Sequence, residues 1–323
     1  MLVKNFTFSL TDRCSASCDI CCFSCSPSRK NVLDKEVIKN YINQMAEIQS
    51  GIDETKTVSF TGGEAFVCYD TLKECMAYAK NLGLNSSVVT NGFWAKDESK
   101  TRKIFQELTN AGLTGMALSA DIYHQKYVPI QCIKNILRVS KEFNVKIQIR
   151  IMKLKDDDSF HQTIEKLRPE IYGFQINTNP FYPVGNAAKL FPADKFIRNY
   201  KSETAICPFD KSIVAMFNGD ILMCCSQFCY FLPILKIGKF GKTSIKKAVE
   251  NISDNDFIYV MFHNGLGWYA KLAKNINFPV EDYYCAPCHL CYELFSNEEF
   301  IKQLKPYVEE EANRIRLQKL FSA

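Results

Sequence analysis

Apolar and polar residues alternate over residues 3–10, the period of a half-buried strand. They then recur every third or fourth position over 34–49, the period of a helix for which Asp34 is the natural N-cap. The same exchange of periods repeats along the first part of the chain. Strands are predicted at 57–60, 86–90, 115–120, 145–152 and 172–177, and helices at 71–81, 99–110, 131–143 and 159–167. Breakers close the strands: Gly62-Gly63 after the second, Asn91-Gly92 after the third, Asp121 after the fourth, and a turn over 180–185 after the sixth. Six units of about 30 residues each have the length of strand–helix crossovers between parallel strands. The expected fold is α/β, a partial (β/α)6 TIM-like barrel with its functional loops at the C-terminal ends of the strands.

From about Ser202 the pattern changes. Short alternating segments at 212–217 and 221–225 flank Asn218-Gly219, a hairpin signal, and seven cysteines follow Ser202. The apolar positions of 257–262 and 268–272 fall at helical spacing and read as core. A stretch rich in Glu, Lys, Arg and Leu, 297–320, predicts a terminal helix. The expected organisation is a barrel over 1–195, a small second domain over 196–296, and a helical tail over 297–323.

Length and composition narrow the function classes. A chain of 323 residues suggests about two domains. With 47% hydrophobic and 23% charged residues it is neither disordered nor fibrous, and a net charge of +5 does not point to nucleic acid. Lys236, Lys239, Lys242, Lys246 and Lys247 read as a solvated face. The longest apolar run, 228–237, is interrupted by Pro233 and Lys236, so no membrane span is expected, and no secretory signal is visible. Fifteen cysteines in a chain read as cytoplasmic point to metal ligands or reactive thiols rather than bridges. The first predicted strand starts within the first ten residues, so no winged-helix leader-binding domain is expected before it.

The cysteines fall into two sets. Cys14, Cys18 and Cys21 stand as C-x3-C-x2-C in the loop after the first strand. Three thiolates suit a [4Fe–4S] cluster with one iron left open for a small bidentate ligand; zinc completed by Cys25, or plain buried thiols, remain alternatives. Thr61-Gly62-Gly63-Glu64, Thr90-Asn91-Gly92, Ser119-Ala120-Asp121 and Arg150 all fall at the same end of the expected barrel. In the second half, Cys207, Gly219 and Cys224 form C-x11-G-x4-C, and Cys285, Cys288 and Cys291 form C-x2-C-x2-C. Four of these thiolates suit a closed cluster or a zinc ion. Cys225, adjacent to Cys224, would point to the opposite face of a strand, and its weak S–H bond suits hydrogen-atom donation; a buried apolar thiol is the plainer alternative.

This combination resembles the radical S-adenosylmethionine (SAM) superfamily over the whole N-terminal part, although Ile20 stands where that family usually has an aromatic residue. The resemblance implies that Cys14, Cys18 and Cys21 ligate the cluster. It further implies that Thr61, Gly62, Gly63, Glu64 and Asn91 belong to the SAM site, and that Ser119, Asp121 and Arg150 meet its carboxylate and ribose. The second set resembles a shortened SPASM or twitch domain. That likeness implies one auxiliary cluster on Cys207, Cys224, Cys285 and Cys288, with Cys291 competing for a place. The stretches CDICCFSCSPS, SFTGGEAF, TNGFW, SADIYH, FNGDILMCCS and CAPCHLCYELFSNEEF are similar to those of the YydG-like peptide epimerases. This likeness implies two [4Fe–4S] clusters and S-adenosyl-L-methionine as cofactors. Its implied partners are a ribosomally synthesised precursor peptide and a flavodoxin- or ferredoxin-like electron donor, with neither nucleic acid nor membrane. The implied reaction removes Cα hydrogen from Val- or Ile-type residues and returns hydrogen from Cys225 to give D-residues. A thioether- or C–C-crosslinking peptide maturase and a zinc-binding interaction protein stay open.

Overall fold

The computed structural model describes residues 3–48 and 56–322. Gln49, the last residue of the first expected helix, and Ala323, the last of the expected tail, lie outside the described residues. The first half runs β1 (Asn5–Ser9), α1 (Lys35–Glu47), β2 (Thr57–Thr61), α2 (Tyr69–Asn81), β3 (Asn85–Thr90), α3 (Glu98–Asn110), β4 (Leu113–Ser119), α4 (Ile122–Gln125), α5 (Ile130–Ser140), β5 (Lys146–Lys153), α6 (Ser159–Leu167) and β6 (Gln175–Pro180). Strands β1 to β6 are neighbours in chain order and all pair in parallel. Helix starts follow from local chemistry: Asp34 and Asp97 accept the backbone N–H of Val37 and Lys100 at 3.0 and 2.8 Å. The sixth strand begins at Gln175 rather than 172. After α6 the chain is held in successive turns, with Tyr172 N–H bonded to the Pro169 carbonyl and Phe174 N–H to that of Ile171.

Alternation along the strands separates two environments. One face is packed under the helices: Phe6, Phe8, Val58, Phe60, Leu118, Ile149 and Ile151 are fully buried. The other lines the barrel interior with hydroxyls and amides. Ser59 Oγ bonds Asn5 Oδ1 and Ser87 Oγ, each at 2.8 Å, and Asn5 Nδ2 donates to Thr7 Oγ1 at 3.1 Å. Barrels filled by branched aliphatic side chains have solid centres; this one has a polar floor.

The second half comprises α7 (Asn186–Leu190), β7 (Tyr200–Lys201), β8 (Ser212–Ala215), β9 (Asp220–Leu222), β10 (Lys236–Lys239), α8 (Ile245–Ser253), α9 (Asp256–Asn264), α10 (Leu266–Asn275), β11 (Tyr283–Tyr284), α11 (Pro287–Phe295) and α12 (Glu298–Ser322). The Asn218-Gly219 hairpin forms as expected, closed by Met216 N–H to the Asp220 carbonyl at 2.8 Å. Its strand β8 pairs in parallel with β1, and β9 and β10 follow antiparallel, giving one nine-stranded sheet of order β10-β9-β8-β1-β2-β3-β4-β5-β6. Lys236 and Lys239 both pair with the buried Asp220, so part of the lysine-rich stretch is neutralised within the fold. Tyr269 packs between Phe257 and Phe295, at 6.4 and 5.0 Å between ring centroids. In α12, Phe300, Leu304, Val308 and Ala312 form a buried stripe at every fourth position. No described helix is long and apolar enough to cross a membrane.

Phe8 sits mid-strand in β1, between Phe6 and Phe60 at 4.9 and 5.8 Å. Phe8→Ala is expected to cost about 3–5 kcal/mol. Equilibrium urea unfolding should show this as a lower midpoint at unchanged slope.

Candidate active site

The loop after β1 is fastened by hydrogen bonds from four other loops, most of them to its main chain. Gly63 N–H bonds the Thr11 carbonyl at 2.6 Å and Glu64 N–H the Arg13 carbonyl at 3.1 Å. A Cβ at Gly62 or Gly63 would lie 2.6 or 2.5 Å from those same two oxygens, so the approach requires glycine. Asn91 Nδ2 donates to Ser15 Oγ at 3.1 Å, and Tyr127 Oη to the Ser17 carbonyl at 2.7 Å. From the turn after β6, Asn186 takes two loop carbonyls: its N–H bonds Cys21 and its Nδ2 bonds Cys18, both at 3.0 Å. Gly185 approaches so closely that a Cβ there would stand 2.3 Å from the Cys22 oxygen.

These contacts bring Cys14, Cys18 and Cys21 together. Burial pushes the Cys14 thiol up to about 12 and raises Cys18 further, with Cys14 and Cys21 adding to the shift at Cys18. Cys21 is the exception, lowered to about 6 because the Cys25 thiol donates to it against the effect of burial; the Cys25 backbone N–H also reaches its sulfur at 3.3 Å. Glu64 is a brace rather than a free group. Burial raises it to about 7, and its two oxygens accept from Thr90 Oγ1, Phe66 N–H and Asn91 N–H at 2.8, 3.1 and 2.7 Å. Thr61 closes β2, its carbonyl held by Leu10 N–H at 2.8 Å.

Asp121 is completely buried beside this loop. Its Oδ1 accepts from the backbone N–H of Tyr123 and of His124 at 3.1 Å and meets the His124 ring at 2.9 Å, while Oδ2 has no partner among the described residues. Ser119 ends β4 and is paired in register with Arg150. Arg150 projects into the polar lumen, where Nε bonds Gln148 Oε1 at 3.1 Å. Loss of hydration holds Arg150 below the ordinary guanidinium range, and the Cys225 sulfur lies near enough that its thiolate form would oppose that shift. An acceptor without a donor at Asp121 and a guanidinium without an anion at Arg150 form a matched pair. They suit a ligand carrying hydroxyl or ammonium donors and a carboxylate.

The second cysteine set also converges, in a different combination from the sequence expectation. Cys207, Cys224, Cys288 and Cys291 line one small apolar cavity together with Cys229. Cys285 stands apart, packed in the cluster that holds Tyr123 and Phe181, and its charged neighbours are Arg198 and Glu281. The expected strand over 221–225 ends at Leu222, which leaves Cys224 and Cys225 in the irregular segment that follows. The two still diverge. Cys224 is lowered by a thiol hydrogen bond from Cys229, whereas Cys225 is exposed and pushed up to about 11 by desolvation and by the Asp210 carboxylate. At neutral pH the Cys225 thiol therefore keeps its hydrogen. Among the described residues no three His, Cys, Asp or Glu side chains converge on a single ion; a cubane cluster has no such requirement, because each of its irons takes its own thiolate.

The sequence profile of the Radical SAM superfamily matches residues 8–167. Those residues are a radical SAM domain. Across nearly the whole chain the protein is 29% identical to YydG of Bacillus subtilis (strain 168), whose name ascribes it to peptide biosynthesis; the alignment covers 97% of this chain and 98% of that one. Among solved structures, anSMEcpe with bound AdoMet superposes with a TM-score of 0.56 at 15% identity, covering 96% of this chain and 99% of that one. BtrN in complex with AdoMet and 2-DOIA gives 0.50 at 13%, covering 88% and 98%. These two show that the fold is shared. The radical SAM domain takes S-adenosylmethionine and one [4Fe–4S] cluster, and the three gathered thiols, the unpartnered Asp121 oxygen and Arg150 fit that pair of cofactors.

Sequence reading gave no role to Gly185 or Asn186, and it considered Cys25 only as a fourth zinc ligand and not as the thiol that supports Cys21. The only available signals were a Val184-Gly185-Asn186 turn at the end of a strand, and thiols four and five residues beyond Cys21 and Cys224. Two outcomes are expected. Gly185→Ala should displace the Cys21–Cys22 carbonyls and lower the iron and sulfide retained after anaerobic reconstitution. Because Cys14 and Cys18 are raised and hold their protons at pH 7, ligation must expel those protons. Iron affinity should then rise from pH 6.5 to 8.5, with proton release measurable by calorimetry in buffers of different ionisation enthalpy.

Proposed function

We propose that this enzyme epimerises residues of a ribosomally made peptide. The observation that carries the reading is the placement of the Cys225 thiol, which is exposed, keeps its hydrogen at neutral pH, and lies near Arg150 and beside a second group of thiols. The alignment with YydG along almost the full length of both chains supports a peptide substrate. Labour divides along the chain, with the barrel (1–195) holding the SAM site, the following segment (196–296) an auxiliary site, and the tail (297–323) bracing that segment.

Cys14, Cys18 and Cys21 would hold the open cluster; Asp121, Arg150, Ser119 and the loop of Thr61, Gly62, Gly63 and Glu64, with Asn91 behind it, would hold S-adenosylmethionine. Bound there and reductively cleaved, it supplies the 5'-deoxyadenosyl radical that removes a Cα hydrogen from a Val- or Ile-type residue. Cys225 then gives its S–H hydrogen to that carbon from the opposite side, which inverts the centre. The resulting thiyl radical regains an electron and a proton before the next turnover, the electron coming from a flavodoxin- or ferredoxin-like donor. Cys207, Cys224, Cys288 and Cys291 are the four thiols we assign to an auxiliary [4Fe–4S] cluster next to that step. An open cluster and free thiols suit the reducing cytoplasm.

In heavy water the wild-type enzyme should add one deuterium to Cα for each inverted residue, read by mass spectrometry and chiral amino-acid analysis. Cys225→Ala should still cleave the cofactor while D-residues fall to background. A product lighter by two hydrogens would instead mark crosslinking and overturn the reading. The cluster assignment is tested separately. About eight irons per chain are expected, falling to about four in Cys291→Ala and unchanged in Cys285→Ala; bound zinc without iron would remove both clusters.

A further inference from the structure

The nine-stranded sheet has two ends, and they are finished differently. At β10 the edge carries Lys236 and Lys239 and its register shifts between Lys236 and Gly238. Charges and bulges of this kind keep an edge from accepting another strand. At β6 the sequence is Gln175-Ile176-Asn177-Thr178-Asn179-Pro180, with no charge, and its pairing with β5 is regular throughout. Gln175, Ile176, Thr178 and Asn179 are all exposed. Among the described elements β6 packs substantially against β5 alone.

The hydrogen-bond phase shows which groups this edge offers. Phe181 N–H bonds the Lys153 carbonyl at 3.1 Å, and Lys153 is paired with Pro180. In a regular parallel ladder the residues whose N–H and C=O face the partner alternate. Gln175, Asn177 and Asn179 therefore point their backbone groups at β5, and Ile176 and Thr178 point theirs outward. Proline, which has no N–H to offer, occupies the next outward position. Neither Ile176 nor Thr178 has a backbone partner outside the ladder among the described residues. The side chains of Gln175, Asn177 and Asn179 share the lumen face with Gln148 and Arg150; Gln175 Nε2 reaches Asn177 Oδ1 at 3.4 Å, and Arg150 is in register with Asn177.

We propose that the substrate peptide docks by adding a further strand to β6, held by the outward N–H and C=O groups of Ile176 and Thr178. This inference rests on the peptide reading above and extends it to how the peptide is held. The occupant is an extended, uncharged segment, because the edge carries no charge and its free groups are main-chain donors and acceptors. Recognition through the main chain tolerates sequence. It also places alternate residues of the peptide over the lumen, toward Arg150, and turns those between them away.

The test measures binding and chemistry separately. The probe is a short synthetic peptide of alternating valine and threonine with lysines at its ends, used with the cluster-loaded enzyme. Calorimetric titration should detect binding, and hydrogen exchange should show protection at Ile176 and Thr178. Thr178→Pro removes an outward N–H and leaves the ladder to β5 intact; it should weaken binding roughly tenfold or more, with circular dichroism and cluster absorbance reporting its folding. N-methylation of alternate peptide residues should weaken binding to the wild-type enzyme in one phase and not in the other, a readout independent of any protein variant. Absence of binding, equal binding by all peptides and variants, or protection elsewhere would overturn the proposal. So would concentration-dependent dimerisation abolished by Thr178→Pro, which would make a second copy the occupant. Binding as described without D-residues would leave the docking site standing and sink the epimerase reading; D-residue formation indifferent to Thr178→Pro and to N-methylation would do the reverse.

Discussion

Everything at this site depends on holding a short, cysteine-rich loop still by its main chain. Cys14, Cys18 and Cys21 are brought close together in a setting where burial works against thiolates, and a flexible loop would relieve that strain by spreading its sulfurs apart. The fold prevents this chiefly by engaging the loop's carbonyl oxygens, with a few side-chain contacts such as Asn91 to Ser15. Thr11, Arg13, Ser17, Cys18 and Cys21 each give an oxygen to a donor on another loop of the barrel.

The same economy governs the lumen. Packing a barrel centre with aliphatic side chains gives stability directly; here that contribution comes from the outer face, where Phe6, Phe8 and Phe60 meet the helices. The interior is held by hydrogen bonds among Asn5, Ser59, Ser87 and their neighbours, which leave room above them for Arg150 and the unpartnered oxygen of Asp121. Cys225 lies near Arg150 in an irregular segment whose other cysteine, Cys224, lines an apolar cavity, so two adjacent thiols experience opposite environments: one depressed by a neighbouring S–H, the other raised by desolvation.

The barrel was readable because its periods are strong: five of the six strands lie where alternation puts them, and capping aspartates mark helix starts. The sixth was displaced by turns around Pro169 that carry no periodic signal. The gathering of Cys14, Cys18 and Cys21 in the loop after β1 was legible from their spacing within a few residues. The second was less so, since Cys285, Cys288 and Cys291 repeat every third position and spacing alone cannot say which face of a helix they share; Cys288 and Cys291, both on α11, face Cys207 and Cys224, while Cys285 precedes that helix. Gly185 and Asn186 escaped notice because their role exists only across a separation of more than 160 residues. Likewise, nothing local says that β8 lies beside β1, since pairing between distant strands leaves no mark on either sequence.

That pairing has a consequence for how the two halves can be separated. With β8 laid along β1, the strand that launches the cluster loop is an interior strand of the sheet, flanked on both sides. Removing the second half would turn β1 into an edge and expose a row of main-chain groups directly beneath the cysteine-rich loop. The shortened chain would be a sticky one rather than a simpler catalyst, so the second half acts as a built-in chaperone for the barrel.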